Sequence, residues 1–272
     1  MDYSTRKGFF SLLLVGIAAG VAGGFVYGMM AAPPATEPAV ERAEEPAAPG
    51  DERIGELVRD YILSNPEVLE EAQQVLQARR EEESRQLAMA SIENNRDAIF
   101  NAPEDMVIGN PEGDITLVEF FDYNCGYCKR AMDDVVEIIE TDPNVKVVLK
   151  EFPILGPDSV AAHQVSMAFR KLAPEQYGDY HMALLGADVR ASEAVAIELA
   201  KEYGVEEEAL REAMNDPAIE ESIRLSYQLA DTLGISGTPS FVLGDETVFG
   251  AVGSEALLAK IANVRQCEST VC

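Results

Sequence analysis

Two thiols two residues apart, Cys125-Gly126-Tyr127-Cys128, are the side chains in this sequence best suited to covalent chemistry. A strand-like run, Thr116 to Phe121, leads into them with Glu119 as its one charge, and breaks at Asp122-Tyr123-Asn124. From Lys129 the apolar residues Met132, Val135, Val136, Ile138 and Ile139 recur with helical period. Cys125 is thereby expected at the mouth of a helix that springs from a central strand, open to solvent. Free backbone N–H groups and the positive end of the helix dipole meet its sulfur there. Cysteines so placed titrate at roughly 3.5 to 7.5 instead of about 8.5. Cys128, a helical turn on, is placed to close a disulfide with Cys125. Two bland readings compete. Half a zinc site would need a second close pair, but the other cysteines, Cys267 and Cys272, stand as C-x4-C at the C-terminus. A purely structural bridge over two intervening residues would close a loop too small to stabilise much. Redox chemistry is the favoured reading.

The elements that must hold this pair come from a chain of 272 residues with 47% hydrophobic residues, ample for a core. A formal charge of −27 argues against a nucleic-acid partner, whose phosphates would be repelled. Residues 1–32 read as a membrane anchor or signal segment. Gly8 to Met30 is apolar and long enough to span a bilayer, and Arg6-Lys7 before it keep the N-terminus cytoplasmic. An uncleaved anchor is favoured over a cleaved signal, because the apolar run is long and Ala31-Ala32 leads straight into Pro33-Pro34. Either reading exports the remainder, which in bacteria means an oxidising compartment. Residues 33–50, rich in Pro, Ala and Glu, read as a disordered linker.

Residues 51–105 are expected to form a helical stalk. One short helix carries Ile54, Leu57, Val58, Tyr61 and Ile62, and Ser64-Asn65-Pro66 stops and restarts the chain with a capping side chain ahead of the proline. A long helix follows through Val68, Leu76 and Ile92. Its apolar stripe is narrow, so it fits self-association through residues 51–100 into a homo-oligomer better than helices packed on their own domain or a solvated spacer. A short strand at Met106–Asn110 precedes the central strand, and Val145–Phe152 is the next one. Helical segments fill most of the chain from about 157 to 234. A hairpin, Ser240–Leu243 and Thr247–Phe249, and a last helix from Ser254 close the domain.

Strand, CxxC, helix, strand, helices, then Thr-Pro before a hairpin and a final helix is a thioredoxin order. The matching residues are Val118 to Tyr123 before Cys125-Gly126-Tyr127-Cys128, and Gly237-Thr238-Pro239-Ser240-Phe241 some 110 residues on. On them the chain resembles the DsbA-like branch of the thioredoxin superfamily, with a stalk like that of ScsC-type relatives. The resemblance implies an α/β thioredoxin-like fold over 106–265, with an inserted helical subdomain and with the membrane helix and stalk before it. It implies a cis bond at Pro239, facing the CxxC so that Thr238 can pair with an incoming peptide. It makes Cys125 and Cys128 the catalytic pair, and Thr238, Pro239, Gly126 and Tyr127 the substrate-binding residues. Glu119 stands where the family keeps a partly buried acid, which would accept or relay the proton of Cys128. The bland reading of Glu119 is an exposed strand face. No cofactor or metal is implied.

The expected function is a periplasmic thiol:disulfide oxidoreductase that forms or isomerises disulfides in exported proteins. Its redox partner would be a membrane protein, either a DsbB-like quinone-linked oxidase or a DsbD/ScsB-like reductase. The alternative is a membrane-tethered, chaperone-like binding module with regulatory thiols. His163 and His181 read as surface or satisfied core residues, and Met132, Met167, Met182 and Met214 as core fillers. In the tail, 266–272, Cys267 and Cys272 are expected to form a local disulfide, with a second redox pair or free thiols as alternatives.

Overall fold

The computed structural model describes residues 51–103 and 105–272. The expected membrane segment and the linker up to residue 50 lie outside the described residues. Among the described residues no helix is long and apolar enough to cross a membrane. The chain divides into two compact units after Tyr61. Helix α1, Asp51–Ser64, leaves Ile54, Leu57, Val58 and Tyr61 exposed.

Helix α2, Glu67–Asn94, begins after Pro66. Pro66, expected at the first helical position, instead holds the N-cap position, in helical conformation. Leu69, Val75, Leu76 and Leu87 are exposed on α2, but its last turns sink into the protein and bury Ile92. A short helix α3, Arg96–Phe100, then buries Ile99.

Strands β1, Met106–Gly109, and β2, Ile115–Phe121, lead to helix α4, Gly126–Thr141, and strand β3, Val145–Glu151. Helices α5 (Pro157–Leu172), α6 (Tyr177–Gly186), α7 (Glu193–Glu202), α8 (Glu207–Met214) and α9 (Pro217–Thr232) form the insertion. Ser192 caps α7 through the Val195 N–H, and Asp216 caps α9 through the Ala218 N–H, so two of these helices start where cap chemistry dictates. Strands β4, Ser240–Leu243, and β5, Glu246–Phe249, and helix α10, Ser254–Cys267, complete the chain.

The sheet runs β1-β3-β2-β4-β5. Only β2 and β3 are parallel, and the remaining pairings are antiparallel. Alternation along β2 decides what each face carries. Leu117 and Phe121 pack with α4, α5 and α10, in a core that includes Val135, Ile138, Val165 and Leu257. Val118 and Phe120 pack on the other face with Ile92, Ile99, Phe152, Leu229 and Val242. The sheet is therefore covered on both sides, as a mixed sheet with buried parallel strands must be. Glu119 shares its face with Leu117 and Phe121, which sets it beneath α4. Lys150 is buried toward α3, where it pairs with Asp105 and donates to the Ala98 carbonyl (2.6 Å).

Candidate active site

Cys125 is the N-cap of α4, extended at φ −82° and ψ 115°, as its place between strand and helix requires. Its own N–H donates to the Asp122 carbonyl (2.9 Å), which closes the turn that follows β2. Asp122 fixes that turn further. Its carboxylate accepts from the Asn124 N–H (2.8 Å) and the Leu155 N–H (2.9 Å). Asn124 clamps the turn to the insertion: its amide donates to the Ala191 carbonyl (2.9 Å) and to Ser159 Oγ (3.0 Å), and its oxygen accepts from the Ala191 N–H (2.8 Å).

Opposite the thiol lies the loop before β4, where the Thr238–Pro239 peptide bond is cis. As a thiol, Cys125 Sγ donates to the Thr238 carbonyl at 3.1 Å. This contact corrects the expectation of an open sulfur, since Cys125 keeps only 6% of its surface accessible. Cys128 faces the core and is fully buried. Both are free thiols. Tyr127 between them projects into solvent under the guanidinium of Arg130, 4.2 Å from its ring centre. Lys129 donates to the Ala187 carbonyl.

The two sulfurs are driven apart in acidity. The hydrogen bond from Cys128 draws the Cys125 thiol down to about 5, helped by the Thr238 side chain and the backbone N–H groups of Cys128 and Tyr127, and against the cost of burial. Cys128 moves far the other way. It is the donor in that shared bond, it is buried, and Glu119 lies near it. Glu119 is buried at 2% exposure, with Oε1 lacking any hydrogen-bond partner. Burial, and then the Cys125 thiolate, push its carboxyl up to about 8. An acidic thiol, a proton-holding thiol and a raised carboxyl thus sit in one corner of the fold. Such a corner can hold a thiolate leaving group and move one proton. Among the described residues no group of three or more His, Cys, Asp or Glu side chains is set to hold a metal ion.

The sequence reading brought Glu119, Cys125, Cys128, Thr238 and Pro239 to this corner, and the structure sets them there together. Gly126 opens α4, with open space where a Cβ would stand. Asp122, read as part of the matching run and as a break in the strand, and Asn124, read only as that break, were given no role. A turn rich in Asp and Asn is the signal that could have found them.

The DSBA-like thioredoxin domain matches residues 116–262, more than half of the chain. The chain belongs to the DsbA-like thioredoxin-domain family. A second match, the copper resistance protein ScsC N-terminal domain, covers residues 52–83, the stretch of α1 and α2. Among solved structures, a thioredoxin-like oxidoreductase from Silicibacter pomeroyi is 43% identical, with a TM-score of 0.61, and covers 64% of this chain and 99% of its own. Proteus mirabilis ScsC in a transitional conformation is 30% identical, with a TM-score of 0.57 over 76% of this chain and 91% of its own. Disulfide bond formation protein D of Bacillus subtilis is 24% identical over 57% of this chain and 76% of that protein. Two sodium/proton antiporters, NhaA 3 of Salinispora tropica and NhaA 1 of Salinispora arenicola, are each 27% identical over 58% of this chain. The chain spans only 24% of their length. The DsbA-like domain found here is a thiol–disulfide oxidoreductase domain.

Proposed function

We propose that this chain is an exported, periplasmic thiol:disulfide oxidoreductase that forms or isomerises disulfides in proteins, with Cys125 as nucleophile and Cys128 as resolving thiol. The observation that carries the reading is the split acidity of the pair: Cys125 drawn down to about 5, beside a Cys128 that keeps its proton. In the oxidising direction a substrate thiolate attacks Cys125 Sγ and the Cys125–Cys128 bond breaks. Cys128 leaves with the electron pair and takes a proton from Glu119. A second substrate thiolate then attacks the substrate sulfur of the mixed disulfide and expels Cys125 as a thiolate, so two electrons have passed to the enzyme. In isomerisation, the Cys125 thiolate attacks a wrong bridge and frees a substrate thiolate. A substrate thiolate later displaces Cys125, with no net electron transfer.

The substrate side fits an unfolded polypeptide. Tyr127, Leu155, Phe249 and Val252 are exposed apolar groups. Leu155 is tied to Asp122, and Gly250 donates to the Pro239 carbonyl (2.9 Å), so two of these patches border the cysteine turn. The Thr238 backbone is the natural partner for an incoming strand. Spent pairs would be recycled by a membrane redox partner of the DsbB or DsbD/ScsB kind. Periplasmic placement is supported by likeness to a periplasmic thioredoxin-like protein of Salmonella enterica, 31% identical with a TM-score of 0.52. Residues 8–30 would anchor the chain, or be removed as a signal.

The stalk supports a homo-oligomer: apolar Leu69, Val75, Leu76 and Leu87 stand exposed on α2. Sedimentation of residues 51–272 tests it, with an oligomer expected, and deletion should stop before Ala88 because Ile92 belongs to the domain core. For the chemistry, insulin reduction and reactivation of scrambled ribonuclease by residues 51–272 should both be measurable, and both should vanish in Cys125→Ser. Client protection that survives Cys125→Ser, with neither activity present in the parent, would favour the binding-module reading instead.

A further inference from the structure

A buried polar cluster lies between β3, α5 and α6, and the sulfur chemistry makes no use of it. At its centre the Glu151 carboxylate accepts from Ser166 Oγ (3.0 Å) and Tyr177 OH (2.9 Å), and pairs with Nδ1 of His163. Every one of these side chains is buried. Burial works against the Glu151 charge, yet His163, Tyr177 and Ser166 hold its carboxyl below the usual range. A charge kept in a dry interior is expensive, and an apolar cluster of equal volume would be about as stable or more so. The polar groups therefore need a use other than stability.

Their geometry supplies one. The second ring nitrogen of His163, Nε2, accepts from the backbone N–H of Tyr123 (3.3 Å). A ring nitrogen that accepts carries no proton, so the imidazole proton sits on Nδ1 and points at Glu151. The Tyr123 hydroxyl is held as well, by Ser166 Oγ (2.7 Å) and His181 Nδ1 (3.1 Å). Its ring packs on those of His163 and Phe121. Tyr123 is the middle of the turn whose ends are Asp122 and Cys125, the turn closed by the Cys125 N–H. The insertion thus grips the backbone just ahead of the sulfur.

We infer that His163, oriented by Glu151, is a positioning residue for Cys125: through the Tyr123 N–H it fixes the turn that aims the sulfur at the α4 N–H groups and at Thr238. The inference rests on the reading of Cys125 as nucleophile. It gives the Glu151–His163 pair a part in setting how oxidising the cysteine pair is, although neither residue touches a sulfur-bound substrate.

The test uses residues 51–272 in reduced form and compares wild type, His163→Leu and His163→Gln. Thiolate absorbance against pH reads Cys125, and equilibrium with glutathione reads the potential. Loss of the acceptor in His163→Leu should raise the Cys125 pKa by about one unit. The glutathione equilibrium should then shift about tenfold against the reduced form, or ~30 mV. His163→Gln, whose amide oxygen reaches the same N–H, should restore most of both. A folded His163→Leu with unchanged titration, or a Gln variant no better than Leu, overturns the inference. If His163→Leu does not fold, long-range nitrogen–proton couplings of wild-type His163 decide: an Nδ1–H tautomer supports the arrangement and an Nε2–H tautomer overturns it. An ordinary thiol in wild type itself would instead sink the underlying reading of Cys125, which keeps the two failures apart.

Discussion

The molecule carries two cysteine pairs, and they are treated in opposite ways. Cys125 and Cys128 are buried free thiols at the start of a helix, beneath a cis-proline loop and beside a buried carboxyl. Cys267 and Cys272 are exposed and joined as a disulfide, with Cα atoms 6.2 Å apart. The second pair straddles the end of α10, where Glu268 adopts a left-handed turn and Asp245 catches Ser269 Oγ (2.7 Å) and the Thr270 N–H (2.9 Å). Asp245 follows β4 at the end opposite Pro239, so the tail pair sits at the opposite end of the β2–β4 strand pair from Cys125. Burial works against the charge of the carboxyl beside it, Asp245, yet the Thr270 and Ser269 bonds hold that group below its ordinary range. The contrast teaches that a sulfur becomes reactive through what its fold aims at it; being a cysteine two or four residues from another is not enough. The expectation of a local tail disulfide holds.

The largest effect should come from exchanging the roles of the two pairs. Cys125→Ser should abolish insulin reduction, a loss of at least ~1,000-fold against the wild type, because no nucleophile remains. The double variant Cys267→Ser/Cys272→Ser should keep activity within about twofold, since nothing at the tail touches the site. A matching loss in the tail variant would show that the pairs act in relay and would erase the contrast.

Next is Glu119→Gln. Without a group to take the Cys128 proton, attack of Cys128 on the mixed disulfide in insulin reduction should slow by roughly 100-fold, the low end of the usual range for a lost acid–base group. Stability should move the other way. The folded protein keeps the Glu119 proton up to about pH 8, whereas an unfolded chain releases it near 4.5. Folding therefore weakens as pH rises between those values, and Gln removes that slope. Urea unfolding should find Glu119→Gln more stable than wild type at pH 7.5, by up to about 4 kcal/mol, and no more stable at pH 4. A variant that gains nothing at pH 7.5 would mean that Glu119 is ionised and solvated.

Smaller still is the tail bridge. Its loop is short, with a sequence separation of 5. Chain entropy then allows about 2 kcal/mol. Reducing or removing it should lower urea stability by no more than that and leave the Cys125 titration where it was. Smallest should be Thr238→Val, which deletes one of several groups that draw Cys125 down. The thiol should rise by less than about one unit, measured by thiolate absorbance.

Much of this site was legible from the sequence, for physical reasons that can be named. A strand-period run that ends in Asp-Tyr-Asn before a helix-period run places Cys125 at a helix mouth, and the structure sets it at the N-cap of α4. Period-2 alternation puts Glu119 on the α4 face with Leu117 and Phe121, though alternation alone could not say which face was covered. Pro239 lies more than a hundred residues from Cys125, and only the family resemblance joined the two. The Glu151–His163–Tyr123 cluster was not legible. His163 and His181 fall at buried helix positions that look like any satisfied core histidine, and their partners come from β3 and from the turn after β2. A polar network built across four elements leaves no spacing to read. The exposure of Cys125 was overestimated for a similar reason: the loop that covers it arrives from the far end of the chain.

The central claim is that Cys125 is held as an anion at neutral pH. Its direct measurement is the pH titration of thiolate absorbance in the reduced protein, with Cys125→Ser as the blank. Half-ionisation near pH 5 is the expected result. A midpoint at the ordinary thiol value of about 8.5, with no step at lower pH, would contradict it.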